Sequence, residues 1–243
     1  MKASVTEIAP DVFRLSAFHP DYGIQFNQFL VRDDEPLLMH TGLRRSFDVT
    51  RAAVAQVMDP TKLRWIAYSH FEPDECGALN QWLAVAPDAL PVCNVVGAMV
   101  MLTDYADRPP RTLQDDESFE TGKRRFRFLS TPHLPHGWDA GLLFEETTAT
   151  LFCSDLFFQP GDPGALTQAD IVEQVEPVIV GGKASPLAND VPYTPRTEAA
   201  MQRLATLSPQ TLAVMHGSSF RGDCSDALRR LASILKRELG AAA

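Results

Sequence analysis

Residues 70–75, with the sequence HFEPDE, bring one imidazole and three carboxylates into a single short segment. His70, Glu72 and Asp74 alternate along the chain, and alternate side chains of an extended segment point to the same side. The three groups can therefore converge on one point, with Glu75 directly beside them. Nitrogen and oxygen ligands in such an arrangement are typical of a metal site.

The same carboxylates also fit a purely structural role. The segment lies between an apolar run at residues 65–68, which predicts a buried strand, and residues 78–85, which predict a helix. Acidic residues near a helix start cap free N–H groups and complement the helix dipole. Pro73 also suits an early helical position. The motif by itself leaves both interpretations open, so the choice depends on partners elsewhere in the chain.

Further potential ligands lie at the ends of predicted strands. His136, Asp155 and His216 each follow closely on an apolar segment with the pattern of a strand. Loops held at the ends of a rigid sheet are the usual place for such a site. A single His or Asp at a strand end is more often a turn residue or a hydrogen-bonded polar group. These three positions together with residues 70–75 are hard to explain by structure alone, and they favour a metal centre.

Composition limits the classes of protein that fit. The chain has 243 residues, 45% of them hydrophobic, which is enough for one sizeable core and predicts a single domain over residues 1–243. The net charge of −9 argues against nucleic acid or an anionic membrane surface as a partner. No apolar run has the length of a membrane span, and the N-terminus lacks a signal-peptide core. The four cysteines are scattered without a CxxC pair, so we expect reduced thiols in the cytoplasm.

The hydrophobic pattern predicts two groups of strands, each with its own helices. In the first group, an antiparallel meander precedes strands that alternate with helices, which implies parallel pairing. Its strands are expected at residues 5–8, 12–15, 27–31, 36–40, 65–68 and 92–96, and its helices at 46–57, 78–86 and 98–105. The second group has strands at 118–120, 124–129, 141–145, 150–153 and 211–215, and helices at 169–180, 197–207 and 224–239. Residues 108–112 and 156–167 are expected to be loops. The pattern predicts an α/β (α+β) fold, a four-layer αββα sandwich.

The combined motif resembles the metallo-β-lactamase superfamily, and within it the flavodiiron and oxygen-binding diiron (ODP) branch. The pattern of that branch is HxExDH, a later His, eighteen residues, an Asp and a final His. Eighteen residues separate His136 from Asp155, so His136 and not His133 takes the middle position, and His216 supplies the last. The resemblance covers nearly the whole chain and implies the αββα metallo-β-lactamase sandwich.

The resemblance also implies a set of ligands for two metal ions. His70, Glu72 and His136 would hold one ion. Asp74 and His216 would hold the second, and Asp155 would bridge the pair. Glu75 stands where the branch has histidine. It either ligates in place of that histidine or turns away and leaves the second ion with fewer ligands.

Three other histidines have a functional and a structural interpretation. His19 falls near the place where flavodiiron proteins have a histidine in the distal pocket, so it is a candidate catalytic residue, with a loop hydrogen bond as the alternative. His40 is expected to orient a ligand from behind the site, as an aspartate does in hydrolytic relatives. His133 has the same expected role or is a polar residue of the core.

The ligand types favour iron. Carboxylates at both variable positions suit iron or manganese in kind, although the general affinity order favours zinc. We expect two iron ions, with zinc or manganese as possible substitutes, and no flavin bound by this chain. Two metals ~3.5–4 Å apart can clamp both atoms of O₂ or NO. The resemblance implies binding of O₂, or reduction of O₂ or NO, and a homodimer.

Three functions stay open. The first is a diiron oxidoreductase that receives electrons from a separate rubredoxin- or flavodoxin-type donor, because the chain ends just past the metal-binding region. The second is an oxygen sensor that acts through a signalling partner. The third is a dinuclear zinc hydrolase of the same fold, which cleaves an ester, thioester or phosphodiester. Glu72 in place of histidine argues against the hydrolase.

Overall fold

Two mixed sheets of seven strands each organise the computed structural model, which describes residues 2–188 and 190–240. The expected domain of residues 1–243 thus includes Met1, Asn189 and residues 241–243, which lie outside the described residues. The first sheet contains, in spatial order, β1 (Ser4–Ala9), β2 (Val12–His19), β3 (Ile24–Val31), β4 (Leu37–Met39), β5 (Trp65–Ala67), β6 (Leu90–Asn94) and β7 (Arg111–Leu113).

The pairing in the first sheet follows the lengths of its connections. Strands β1 to β4 pair antiparallel, as short turns allow, whereas β4 to β7 pair parallel. Parallel neighbours need a longer crossover connection, and helical segments supply it here. The predicted meander and the predicted parallel strands are both confirmed.

The second sheet is built from the C-terminal half of the chain. Its strands are β8 (Ser118–Glu120), β9 (Arg125–Ser130), β10 (Gly141–Glu145), β11 (Thr150–Ser154), β12 (Leu166–Thr167), β13 (Thr211–Val214) and β14 (Ser219–Arg221). Their spatial order is β12-β14-β13-β11-β10-β9-β8, so the parallel pair β11 and β13 lies near the middle. The loops that follow β11 and β13 therefore emerge side by side at one edge of the sheet.

The helices lie at the bounds α1 (Phe47–Val54), α2 (Pro73–Cys76), α3 (Leu79–Val85), α4 (Val95–Gly97), α5 (Thr103–Tyr105), α6 (Ile171–Gly182), α7 (Thr197–Thr206) and α8 (Cys224–Leu239). A π-helical segment, Ala98–Leu102, joins α4 to α5. Two short 3₁₀ turns occupy Arg44–Ser46 and Pro60–Lys62. None of the described helices combines the length and the apolar character that crossing a membrane requires.

Three short strands differ from the sequence prediction. Part of the expected loop 108–112 belongs to β7, the expected loop 156–167 ends in β12, and β14 was not expected. These strands have only two or three residues, so their sequences show no alternating pattern. They form because a neighbouring strand already offers a free edge for hydrogen bonding.

Three apolar clusters define four layers. One cluster fills the space between the sheets and includes Phe29 and Phe152, whose ring centroids lie 5.6 Å apart. A second joins the first sheet to α1 and α3, and a third joins the second sheet to α6, α7 and α8. The order helix, sheet, sheet, helix confirms the predicted αββα sandwich.

The packing between the sheets predicts the effect of a core truncation. Phe152 is fully buried, so we expect Phe152→Ala to lower the free energy of unfolding by ~3–5 kcal/mol. Met99 is 72% exposed, and Met99→Ala should change it by no more than ~0.5 kcal/mol. Denaturant titration of both variants measures the difference. Equal stability of the two would contradict the position of Phe152 between the sheets.

Candidate metal centre

The HFEPDE segment forms the turn between β5 and α2. Glu72 precedes the helix in an extended conformation, with φ −133° and ψ 157°, and Pro73 begins the helix. The extended backbone places the Glu72 carboxylate on the same side as His70, as the alternating pattern predicted. Asp74 and Glu75 are consecutive helical residues, so their side chains diverge by about 100°. Sequence neighbours therefore need not share a ligand role.

One half of the site brings together His70, Glu72, His136 and Asp155. Glu72 lies between the two imidazoles, with Oε1 3.3 Å from His136 Nε2 and Oε2 3.7 Å from His70 Nε2. Asp155 Oδ2 is 3.5 Å from the Nε2 atom of each histidine. The two imidazole rings meet edge to face at 4.3 Å between centroids. His70, Glu72 and His136 form a compact group of possible ligands, and Asp155 lies against both of its histidines.

The other half of the site contains His216 and Asp74. His216 Nε2 lies 3.3 Å from Asp74 Oδ2 and 3.1 Å from Asp155 Oδ1. Asp155 thus turns one oxygen toward His70 and His136 and the other toward His216. A carboxylate placed in this way has the geometry of a bridge between two metal ions.

Each of the three histidines is held at the nitrogen that faces away from the site. His216 Nδ1 lies 2.8 Å from the Gln25 carbonyl oxygen, and His136 Nδ1 lies 3.2 Å from Asp190 Oδ1. His70 Nδ1 lies 3.4 Å from Glu75 Oε1. The hydrogen bond of His216 fixes its proton at Nδ1 and leaves Nε2 free to bind a metal. At His136 and His70 a nearby carboxylate favours a proton at Nδ1 by its charge. The three imidazoles are therefore oriented with Nε2 toward the centre.

The residues present fit two metal ions. His136 Nδ1 lies within ion-pair distance of Asp190 but has no hydrogen-bond partner of acceptable geometry. Among the described residues of the site, the atoms that face the centre, His70 Nε2, His136 Nε2 and Asp155 Oδ1, are buried and likewise have none. Buried polar atoms are nearly always satisfied, and each unsatisfied one is costly. A metal ion at each half of the site would satisfy these atoms.

Glu75 lies behind the site. Its Oε2 accepts hydrogen bonds from the backbone N–H groups of Ser69 (2.7 Å) and His70 (2.9 Å), and the Ser154 hydroxyl donates to its Oε1. Burial would raise the pKa of Glu75, but His40, His70 and the hydrogen bond from Ser154 outweigh burial and hold it well below its usual range. Both oxygens of Glu75 are thus engaged by the chain, and its carboxylate also lies close enough to His70 and Asp155 to form a possible ligand group with them.

The remaining histidine candidates lie outside the converging group. His40 is fully buried, with Nδ1 3.3 Å from Glu75 Oε2, so it reaches the site only through that carboxylate. His133 is half-buried, and its backbone N–H donates to the Gly137 carbonyl (2.8 Å) in the loop that carries His136. His19 Nε2 lies 3.2 Å from Ser46 Oγ. The ring of Phe26 stands between His19 and His216, with centroid distances of 5.6 and 5.2 Å.

Two aspartates that the sequence did not indicate also support the site. Asp139 is buried, and its Oδ2 accepts a hydrogen bond from the Phe71 N–H (3.0 Å), which holds the HFEPDE turn in place. Burial raises the pKa of Asp139. Asp190 contacts His136 from the segment after α6, where no motif or strand pattern marks it. Both contacts join segments that are far apart in the chain, so periodicity and spacing gave no signal for them.

Carboxylates around the imidazoles control their protonation. Burial alone would lower the pKa of His216, but Asp155 and Asp74 raise it to about 10. Burial also opposes protonation of His70, but Glu75, Glu72 and Asp155 raise its pKa to about 10. Contacts with His136 and His70 lower the pKa of Glu72 to about 2. In the metal-free protein, these imidazoles therefore carry protons at neutral pH.

Comparison with known proteins agrees with this architecture. The family model described as "ODP family beta lactamase" matches residues 24–217. The chain therefore belongs to this family of β-lactamase-like domains. With the αββα fold and the motif around His70, this membership confirms the predicted resemblance to the flavodiiron and ODP branch.

Two curated relatives are oxidoreductases by name. The chain is 26% identical over 217 residues to the rubredoxin-oxygen oxidoreductase of Megalodesulfovibrio gigas, a match that covers 86% of this chain and 52% of the relative. It is 24% identical over 217 residues to the nitric oxide reductase of Moorella thermoacetica, covering 87% and 53% of the two chains. The chain thus spans about half the length of these relatives.

A solved structure shares the fold. The rubredoxin oxygen:oxidoreductase of Desulfovibrio gigas superposes with a TM-score of 0.80 at 22% identity. The superposition covers 95% of this chain and 61% of the other. At this level of identity the likeness establishes the sandwich architecture alone.

The raised pKa values of His70 and His216 predict that metal binding releases protons. A metal-bound imidazole must be neutral, whereas both rings are protonated below a pKa of about 10 in the metal-free protein. Metal affinity should therefore rise with pH between about pH 6 and about pH 9. Titration with Mn²⁺ in the presence of a pH indicator measures both effects. Affinity that is constant over this range, with no proton release, would contradict the protonation described for the centre.

The contact between Asp190 and His136 predicts a loss of metal affinity on substitution. Asp190→Asn keeps the shape of the side chain but removes its charge, so we expect metal binding to weaken by about 10- to 100-fold. Asp104 is exposed on α5, and Asp104→Asn is the matched control with unchanged affinity. Competition against a coloured chelator measures the metal affinity of the unaltered protein and of both variants. The same affinity in both variants would show that Asp190 does not support His136.

Proposed function

We propose that this chain is the metal-binding domain of a non-haem diiron protein that binds O₂ or NO and reduces the bound gas with electrons from a redox partner. The observation that carries the proposal is the position of Asp155, with one oxygen facing His70 and His136 and the other facing His216. A diatomic ligand has two atoms, and two adjacent metals are suited to hold both.

The donor set supports iron as the resident metal. His70, His136 and His216 are combined with Glu72, Asp74 and Asp155, so half of the proposed ligands are carboxylates. This set is harder than the imidazole-rich sites that suit zinc, although zinc or manganese can occupy it. Two ferrous ions bound there would supply electrons to a bound gas molecule. We propose that Glu75 is not a ligand and instead positions His70.

The chain's own residues orient the imidazoles of the centre. Gln25 and Asp190 contact the Nδ1 atoms of His216 and His136, respectively, so that the Nε2 atoms face the site. The rings of Phe26 and Phe158 pack against His216 at 5.2 and 5.3 Å between centroids. Orientation of this kind reduces the reorganisation needed when a ligand arrives.

The relatives suggest the electron source. The names of two of them refer to rubredoxin with oxygen and to nitric oxide. We propose that a rubredoxin- or flavodoxin-type partner reduces this centre, that residues 1–243 act as one domain, and that the domain functions as a homodimer. The four described cysteines are all buried and free, which is consistent with a reducing compartment such as the cytoplasm.

The bridging position of Asp155 predicts the effect of its removal. Asp155→Ala takes a ligand from both halves of the site, so we expect loss of both metal ions, against about two per chain in the unaltered protein. Asp104→Ala removes an exposed carboxylate from the same chain and should keep both ions. Elemental analysis of the anaerobically iron-loaded proteins gives the counts. Two ions retained by Asp155→Ala would overturn the assignment of the bridge.

Gas reactivity tests the function itself. The iron-loaded protein is reduced without O₂, exposed to O₂ or NO, and followed by its visible spectrum. Consumption of the gas with reduced rubredoxin supports the reductase, and a stable coloured adduct without consumption identifies a gas sensor. No reaction of the diiron form with either gas, together with thioester or phosphodiester cleavage by the zinc form, would replace the proposal with a hydrolase.

A further inference from the structure

A cavity of about 430 Å³ opens directly beside the metal centre. Glu72, Asp74, His136, Asp155 and His216 line one end of it. The rest of the wall is mostly apolar, and two helices contribute six of its apolar side chains. The contributing side chains are Val175, Val178 and Ile179 from α6 and Leu231, Leu235 and Leu239 from α8.

The cavity is far larger than a diatomic gas requires. O₂ and NO are comparable in size to a water molecule, whose share of liquid volume is ~30 Å³. Sites for organic small molecules typically have ~300–1,000 Å³. At about 430 Å³, this cavity falls in the second class. Its mostly apolar wall, with polar groups gathered at one end, is also the form that such sites usually take.

The charges in the wall favour an uncharged ligand. Four carboxylates lie at the metal end, those of Glu72, Asp74, Asp155 and Asp190, and two divalent ions would balance them. Lys183 also lines the cavity, but its ammonium group pairs with the Glu238 carboxylate. Among the described lining residues, no other lysine or arginine is present to attract an anionic group.

Helix α6, which forms one wall of the cavity, has apolar side chains that are incompletely packed. Val178 and Ile179 are only half-buried although they line the cavity, whereas Val175, one turn earlier, is buried in the apolar cluster under α6. An apolar ligand would complete their burial, and removal of apolar surface from water is the main driving force for such binding.

We propose that the cavity binds one uncharged, apolar organic molecule beside the metal pair, in addition to the gas. This inference rests on the proposed function, because the charge balance at the metal end assumes two divalent ions. It extends that function from a gas site alone to a site where an organic molecule and a gas are held together.

Binding of a neutral fluorescent probe, N-phenyl-1-naphthylamine, to the metal-loaded protein tests the proposal. We expect one probe per chain, displaced by decan-1-ol. To displace the same amount of probe, butan-1-ol should need a concentration at least roughly a hundredfold higher than decan-1-ol, because it buries six fewer CH₂ groups. No saturable probe binding to the metal-loaded protein would overturn the proposal.

Matched substitutions on α6 locate the binding site. Ile179→Trp fills the cavity and should weaken probe binding at least tenfold, and Val178→Trp serves as a second filling variant if the first does not fold. Val180 is 46% exposed and does not line the cavity, so Val180→Trp should bind as the unaltered protein does. Unchanged binding in the folded filling variants would overturn the location.

Metal content measured on the same samples separates the two hypotheses. Two bound ions without probe binding would overturn the cavity ligand and leave the diiron function standing. Saturable probe binding that the filling variants abolish supports the cavity ligand, even if the iron-loaded protein fails to react with O₂ or NO. That failure would overturn the gas function alone.

Discussion

The buried carboxylate of Glu75 joins the two sheets at the metal centre. Its Oε2 accepts hydrogen bonds from Ser69 and His70, directly after β5 of the first sheet, and its Oε1 accepts one from Ser154 at the end of β11 of the second. His70 and Asp155 are the chain neighbours of these groups. The distance between His70 and Asp155, two of the proposed ligands, therefore depends on one side chain that contacts both sheets.

This arrangement carries an electrostatic cost that the structure offsets locally. A fully buried carboxylate is unfavourable unless charges and hydrogen bonds compensate it. His40 and His70 lie beside the Glu75 carboxylate and lower its pKa, and three donors surround its two oxygens. The backbone around the centre is also constrained, since His40, His133, Ser154 and Phe157 all have φ between 50° and 66°. Sparsely populated conformations of this kind concentrate at functional sites, where the surrounding packing enforces them.

Helix α6 and the segment that follows it lie beside both the metal centre and the apolar cavity. Asp190 reaches His136 from the segment that follows α6, and α6 itself forms a wall of the cavity. The contact with His136 and one wall of the cavity therefore come from the same part of the chain.

Much of the site could be predicted from the chain alone. The alternation of His70, Glu72 and Asp74 fixed which side chains could converge, because an extended backbone repeats every two residues. The spacing of His136 and Asp155, through the family resemblance, distinguished His136 from His133. The longer strands and helices followed from hydrophobic periods, and with them the order of the four layers. The two- and three-residue strands could not be found in this way, because they depend on a neighbouring edge and not on their own pattern.

Only the tertiary structure decided where each carboxylate lies and what surrounds it. Asp74 and Glu75 are adjacent in sequence, yet a helical turn sends one toward His216 and the other behind His70. Gln25 and Asp190 meet their histidines across 191 residues and 54 residues of chain, counting from position 25 to 216 and from 136 to 190. The sequence determined the chemical types of the ligands, because those depend on local spacing. The orientation of the ligands and the apolar cavity depend on contacts between distant segments, which exist only once the two sheets have packed together.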